Sequence, residues 1–336
     1  MLNAKLELLL CGRKLSHEFL QWQRRAKEFP LGGQPTGKLT SKTEIISRGA
    51  NMSRNAFLFR ATTIGILLTS AAGTVYGSDW GNGAGNNCRH LPGYSALQAA
   101  LSAATAVETS GLNNQMWATI VDRDGIVCAV AFSGVNRGAQ WPGSRIISAQ
   151  KANTANAFSL DASSGSNGSG QAAGLALSTA NLYSAVQPGG SLYGLQASNP
   201  VSTDAGYEGP SSAYGTANDP MVGRKIGGVN VFGGGLALYY LPPDAPAGTR
   251  PQIVGAVGVS GDTSCADHFI AWRTRNNLKL DHLKGVGGVS GDTSRPDNIV
   301  FDIAPNVYGG TGISAGGFGH PTCINTGSPA TLPAVE

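Results

Sequence analysis

The sequence predicts an α/β domain, on three observations. An apolar stripe at helical spacing starts near Ser95, two alternating runs meet at an Arg-Asp-Gly turn after Asp122, and strand-like runs return after residue 228 ahead of a further helix. Residues 78–91 are rich in Gly and Asn and read as a loop. Ser95 can cap a helix to about Ser110, with Leu97, Ala100, Leu101, Ala104 and Val107 on one face. Met116–Asp122 alternates as a strand, Arg123-Asp124-Gly125 turns it, and Ile126–Phe132 returns antiparallel.

A second helix is expected over Ser144–Phe158, with Ile146, Ile147, Ala152, Ala155 and Phe158 apolar. The Ser/Gly/Asn run at 161–173 reads as a flexible loop, followed by a shorter helix near 174–185. A long Gly/Pro/Ser/Asn stretch then reaches about residue 226, a length usual for functional or mobile loops. Strands are expected at Gly228–Phe232, Leu236–Leu241 and Ile253–Ser260, with a helix from near Ser264. The tail, 285–336, reads as irregular apart from a strand at Ile299–Ile303. Gly-Val-Ser-Gly-Asp-Thr-Ser occurs at 258–264 and again at 288–294, too few copies for a solenoid. The first copy opens a helix with Thr263 or Ser264 as cap, and Pro296 keeps the second from doing the same.

The chain has 336 residues, 13% of them charged, and 48 are glycine. Charge is about half its usual share and glycine about double, without the three-residue period of collagen. The formal charge of +4 is a property of the N-terminal stretch. Eleven of the 24 basic and four of the 20 acidic residues fall in 1–77, which leaves 13 basic and 16 acidic beyond it. Nucleic acid is therefore not an expected partner.

From Met52 the chain reads as an export signal: Arg54 and Arg60, an apolar run at 61–73, and a small-residue cleavage site at Val75-Tyr76-Gly77. The apolar run is too short for a spanning helix, which needs roughly 20 residues, so no stable membrane span is expected. The expected scheme is a non-native extension over 1–51 with translation from Met52, a signal peptide over 52–77, and one domain over 78–336, periplasmic or secreted. Four cysteines remain beyond Gly77: Cys88, Cys128, Cys265 and Cys323. They allow three disulfide pairings. Joining Cys88 to Cys323 would tie down both ends and leave Cys128 with Cys265. No CxxC or Cys/His spacing suggests zinc.

Ser260 does not lie in a nucleophile elbow, because Asp262 stands where that motif needs glycine. No P-loop and no GxGxxG opens a helix. Of His90, His268, His282 and His320, none forms HExxH. His268, early on the helix after the last core strand, could ligate a porphyrin iron. Lys151 and Arg145 could meet carboxylates such as propionates. Thr154 by default bonds back to its own helix.

The order of motifs is more specific than any one. The hairpin Val-Asp-Arg-Asp-Gly-Ile-Val, the helix Ser-Ala-Gln-Lys-Ala-Asn-Thr-Ala-Asn-Ala-Phe, then Gly-Gly-Val-Asn-Val, then Ile-Val-Gly-Ala-Val-Gly-Val-Ser-Gly and a helix resemble the GlcG/HbpS-like haem-binding family, also called DUF336 or haem-degrading. The resemblance covers roughly 92–280. It implies an antiparallel sheet of about five strands packed by helices, a homo-oligomer, and haem or a similar tetrapyrrole as ligand. It places Lys151 and Thr154 at the motif lysine and the haem-site threonine. Asn230 stands where members usually carry proline, and the 161–226 segment is longer than usual.

Three functions follow in order of expectation. The first is an exported haem-binding protein, in haem or iron handling or oxidative-stress sensing. The second is an enzyme acting on haem or another small molecule, for which no acid–base pair is visible in the sequence. The third is a partner-binding module that has lost the pocket.

Overall fold

A computed structural model describes residues 88–161, 173–310 and 312–336. The expected start at Met52, the leader and most of the Ser/Gly loop lie outside the described residues. Four strands form the main sheet: β1 Trp117–Asp122, β2 Val127–Phe132, β3 Gly235–Tyr240 and β4 Gln252–Ser260. Their order is β2-β1-β4-β3, every neighbour antiparallel. Three helices cover it: α1 Tyr94–Val107, α2 Ser144–Phe158 and α3 Ser264–Asn277.

Because side chains alternate along a strand, β1 sends Trp117 and Val121 to one face and Ala118 and Ile120 to the other. On the first face α2 lays Ile146, Ala149, Ala152 and Ala155 against Trp117, Val121, Val130 and Ala256. On the second, α1 and α3 bring Leu97, Leu101, Phe269 and Ile270 against Ile120, Leu236, Val257 and Val259. With both faces covered, β1 is buried throughout. The α2 backbone also approaches the sheet closely. A Cβ on Gly258 would stand 1.9 Å from the Ser148 carbonyl oxygen, and one on Gly235 2.4 Å from that of Lys151. Glycine in these strands is what lets α2 sit so low.

The hairpin forms as read. Gly125 takes φ +75°, and Asp122 Oδ1 accepts the Asp124 and Ile126 amides, each at 2.9 Å. The first helix differs at its ends: Gly93 is the N-cap, Ser95 lies inside the helix, and Val107 is 62% exposed. The helix expected near 174–185 shrinks to a 3-10 turn at Thr179–Asn181 and a helical turn at Leu182–Ala185.

The expected sheet of about five strands has four. Gly228–Phe232 is a loop, because Gly227 (φ +66°) and Gly228 (φ +81°) break the extended run and the Asn230 amide turns to Thr154 instead of a strand partner. The strand expected at Ile299–Ile303 reduces to β5 Ile303–Ala304, which pairs with β6 Ile313–Ser314 in a separate ribbon.

The disulfides also differ from the pairing that ties the two ends together. They are Cys88–Cys128 and Cys265–Cys323. Cys88 packs in the core beside β2, which carries Cys128, while Cys265 opens α3 where the tail passes. Each bridge joins chain already in contact. Among the described residues, no helix is long and apolar enough to cross a membrane.

Candidate functional site

The motif helix α2 carries three of the four residues singled out from the sequence. Arg145, on its first turn, is buried. Its guanidinium forks onto Asp219, with Nε to Oδ2 at 2.9 Å and Nη2 to Oδ1. Nη1 donates to the Gly206 carbonyl at 2.7 Å, and the Tyr214 ring lies 3.6 Å from Cζ. Arg145 therefore anchors the long 203–222 segment over α2.

Lys151 lies wholly inside. Nζ meets Asp267 Oδ2 at 2.5 Å and the Val259 carbonyl at 3.1 Å, beneath the Phe232 ring at 3.7 Å. Burial pulls the lysine down from its ordinary value, and Asp267 offsets this only in part. Burial likewise pushes Asp267 up, against the pull of Lys151. Asp267 Oδ1 accepts the amides of Gly261 (3.1 Å) and Asp262 (2.8 Å). The pair joins α2 to α3 past the end of the β3–β4 ladder.

Thr154 Oγ1 donates to the Gln150 carbonyl at 2.8 Å and accepts the Asn230 amide at 2.9 Å. Asn153 Nδ2 donates to the Gly228 carbonyl at 2.8 Å, so loop 227–232 is held to α2 at two points. Within that loop Asn230 Oδ1 is buried without a hydrogen-bond partner. Unpaired buried acceptors are uncommon, and each asks for a cause.

His268 is on α3, on the other side of the sheet. Its Nε2 lies 3.2 Å from Asn298 Oδ1 and 3.2 Å from the Ile299 amide, which also reaches Asn298 Oδ1 at 2.9 Å. Nδ1 has no partner. A proton on Nε2 is the better tautomer, since an unpaired buried acceptor is cheaper than an unpaired N–H. Burial pushes its pKa down to about 4, leaving a neutral ring at pH 7. The tail seals it from solvent.

The four residues therefore do not line one slot. Arg145 and Lys151 are each ion-paired inside the protein, Thr154 faces loop 227–232, and His268 faces the tail. Sequence reasoning missed a further group at the start of α3. Ser264 Oγ accepts the Gly233 amide (2.6 Å) and lies 2.6 Å from His320 Nε2, while His320 Nδ1 lies 2.6 Å from the Pro321 carbonyl. The carbonyl can only accept, so Nδ1 carries the proton and Nε2 takes the serine hydroxyl. Burial pushes the His320 pKa down to about 4. The Cys265–Cys323 bridge lies beside it.

The family described as "Haem degrading protein HbpS-like" matches residues 94–274. A crystal structure of the Klebsiella pneumoniae protein ORFY, of family DUF336, is similar at 25% identity and TM-score 0.32, over 55% of this chain and 87% of that one. A crystal structure of a PduOC:haem complex is similar at 21% identity and TM-score 0.32, over 55% of this chain and 90% of that one. No curated protein matches the chain.

Proposed function

Because the chain belongs to the HbpS-like haem-degrading protein family, we propose that it is an exported protein that binds haem. The leader at 52–77 and two disulfides support export, since such bridges persist in oxidising compartments.

The donor set fits haem only in part. Two propionates need free cations, and Arg145 and Lys151 are both committed to buried carboxylates. Removing either partner from such a pair leaves a charge stranded in the interior. These two residues are scaffold. Thr154 and Asn230 fit better, though both polar atoms are buried and a ligand reaches them only as loop 227–232 moves aside: a hydroxyl on the motif helix, and beside it an amide oxygen with nothing to bond. That orphaned oxygen carries the reading. It supports loop 227–232 as the edge against which the ligand sits, with Thr154 and Asn230 as polar contacts. Bound there, haem would supply the iron centre, and the protein would supply the seat and its orientation. His268 has the right chemistry for an iron ligand, a neutral ring with a bare nitrogen, but lies behind Asn298 and Ile299.

Haemin titration of the purified chain tests this. A Soret band that saturates at a fixed stoichiometry is expected. Thr154→Ala or Asn230→Ala should weaken binding about tenfold, which is roughly 1.4 kcal/mol, and His268→Ala should leave the spectrum unchanged. A spectrum altered only by His268→Ala moves the site to α3. No Soret band favours the partner-binding module. Decay of the band with a reductant, with release of an open tetrapyrrole, makes the protein an enzyme.

A further inference from the structure

At the start of α3 the fold assembles a second set of donors, apart from the motif helix. Cys265 Sγ, Cys323 Sγ and a ring nitrogen of His320 lie within 4.8 Å of one another. The two sulfurs are joined. We propose that reduction of this disulfide converts Cys265, Cys323 and His320 into a site for a zinc-like divalent cation, so that metal binding here is gated by redox state.

The ligand chemistry favours such a cation. Two thiolates and an imidazole are a borderline-soft set that suits tetrahedral zinc, with water in the fourth position. The donors are already gathered, because the bridge holds both sulfurs beside the ring, and reduction frees them to part to the roughly 3.7 Å that two sulfurs on one tetrahedral zinc require. His320 also has one ring nitrogen without a proton: its Nδ1–H is given to the Pro321 carbonyl, so Nε2 can act as a ligand once the Ser264 hydroxyl yields.

Position favours the thiolate form. Cys265 is the second residue of α3, where the helix dipole stabilises negative charge, and its own amide donates to Cys323 Sγ at 3.2 Å. Access is one-sided: Cys323 is half-buried and Cys265 is buried. An external thiolate therefore attacks Cys323 Sγ, the S–S bond breaks, and Cys265 leaves as thiolate under the helix N-terminus. A second reductant thiolate attacks the mixed disulfide, releases Cys323, and departs as the reductant's own disulfide. The two freed thiolates and His320 then take the cation.

The other bridge supplies a built-in contrast. Cys88 and Cys128 also have a carboxylate nearby, Asp122, whose Oδ2 has no hydrogen-bond partner, but both sulfurs are in the core, Cys88 0% and Cys128 4% exposed. Reductant has no comparable approach to it. The inference stands apart from haem binding, since it uses none of the same residues.

The test is cobalt titration of the full chain, oxidised and then reduced with a dithiol that is removed under nitrogen. The reduced chain should bind one Co2+ with a thiolate-to-cobalt charge-transfer band, displaced by Zn2+, and the oxidised chain none. His320→Gln keeps the bridge, so its fold is checked in the oxidised form; after reduction its affinity should fall at least tenfold. The Cys88→Ala/Cys128→Ala protein should retain the site. Zinc should raise the melting temperature of the reduced chain and not of the oxidised one. Equal binding by the oxidised chain overturns the proposal, as does unchanged affinity in His320→Gln or loss of binding on removing Cys88 and Cys128. A reduced chain that unfolds and gains no melting transition with zinc overturns it equally.

Discussion

Residues 94–274, the stretch that the family matches, and residues 278–336 beyond it are held in place by different means. The matched stretch is a sheet between helices, and its buried charges are paired within the domain. Lys151 meets Asp267, and Arg145 meets Asp219. Among its described residues the tail has two strands of two residues each and one 3-10 turn, yet these take a definite path. Side chains of α3 and its flanks fasten it. Trp272 Nε1 donates to the Pro333 carbonyl at 3.0 Å, and Arg275 forks onto Asp297 at 2.6 and 2.9 Å. Cys265 is bridged to Cys323, and within the tail itself Arg295 Nε donates to the Leu332 carbonyl at 2.8 Å. A segment with little ladder of its own can be fixed by satisfying the polar groups of a neighbouring helix. In doing so it brings His320 to Ser264 and Asn298 to His268, so chemistry absent from the matched stretch arrives from outside it.

The sharpest way to break this contrast is at Lys151. Lys151→Met leaves Asp267 buried without its cation, and the expected loss is about 3–5 kcal/mol. Urea denaturation at pH 7 measures it. Adding Asp267→Leu should recover part of the loss, because two apolar side chains avoid the stranded charge. A single variant that loses less than about 1 kcal/mol, the scale of an exposed ion pair, would mean that the pair does not hold α2 to α3.

How much of this was legible in the sequence depends on the distance along the chain. The bounds of α2 and the β1–β2 hairpin follow from local spacing and the Gly125 turn, and they agree with the structure. The four cysteines beyond Gly77, an even number, announce bridges. The choice of partner does not follow, because each bridge depends on which segments the fold brings together. Lys151 is visible as part of a motif, but Asp267 lies 116 residues away and Asp219 lies 74 residues from Arg145. Spacing alone does not decide whether Lys151 and Arg145 face solvent or meet a carboxylate, and neither buried partner is visible in it. The sequence shows no zinc spacing for the same reason: Cys265 and Cys323 are 58 residues apart. The Gly228–Phe232 run reads as a strand from its valines, and two glycines at positive φ override them.

The contact between matched stretch and tail should itself depend on pH. His268 is held neutral in the fold, with its pKa down at about 4 against 6.5 for the free side chain. Its contribution is complete above pH 6.5 and is lost as pH falls through 4, because the unfolded chain takes up the proton first. At roughly 1.4 kcal/mol per unit, the loss is on the order of 3 kcal/mol. His320 is lowered in the same direction, so the native chain should weaken steeply over this range. Comparing unfolding free energies of the wild type and His268→Asn at pH 7 and pH 4 isolates the first histidine. A pH dependence that is the same in both proteins would show that the tail does not seal that ring.

The repeated Gly-Val-Ser-Gly-Asp-Thr-Ser offers the finest comparison, since one copy lies in each region. In the first, Thr263 caps α3, its Oγ1 accepting the Ala266 amide at 3.4 Å, and Asp262 accepts the amides of Leu112 and Asn114, each at 2.9 Å through its shorter contact. In the second, Asp292 accepts the Ser294 amide (2.8 Å) and pairs with Arg295 three residues on, all within one turn that no helix follows. The same seven residues thus start a helix where an apolar face continues beyond them, and merely turn the chain where Pro296 intervenes. Thr263→Ala should cost about 1 kcal/mol as a lost cap. Thr293→Ala, at an exposed position, should stay within about 0.5 kcal/mol of the wild type. Thermal melts of the two variants side by side check this, and equal losses would mean that the tail's copy bears a structural load that its hydrogen bonds do not reveal.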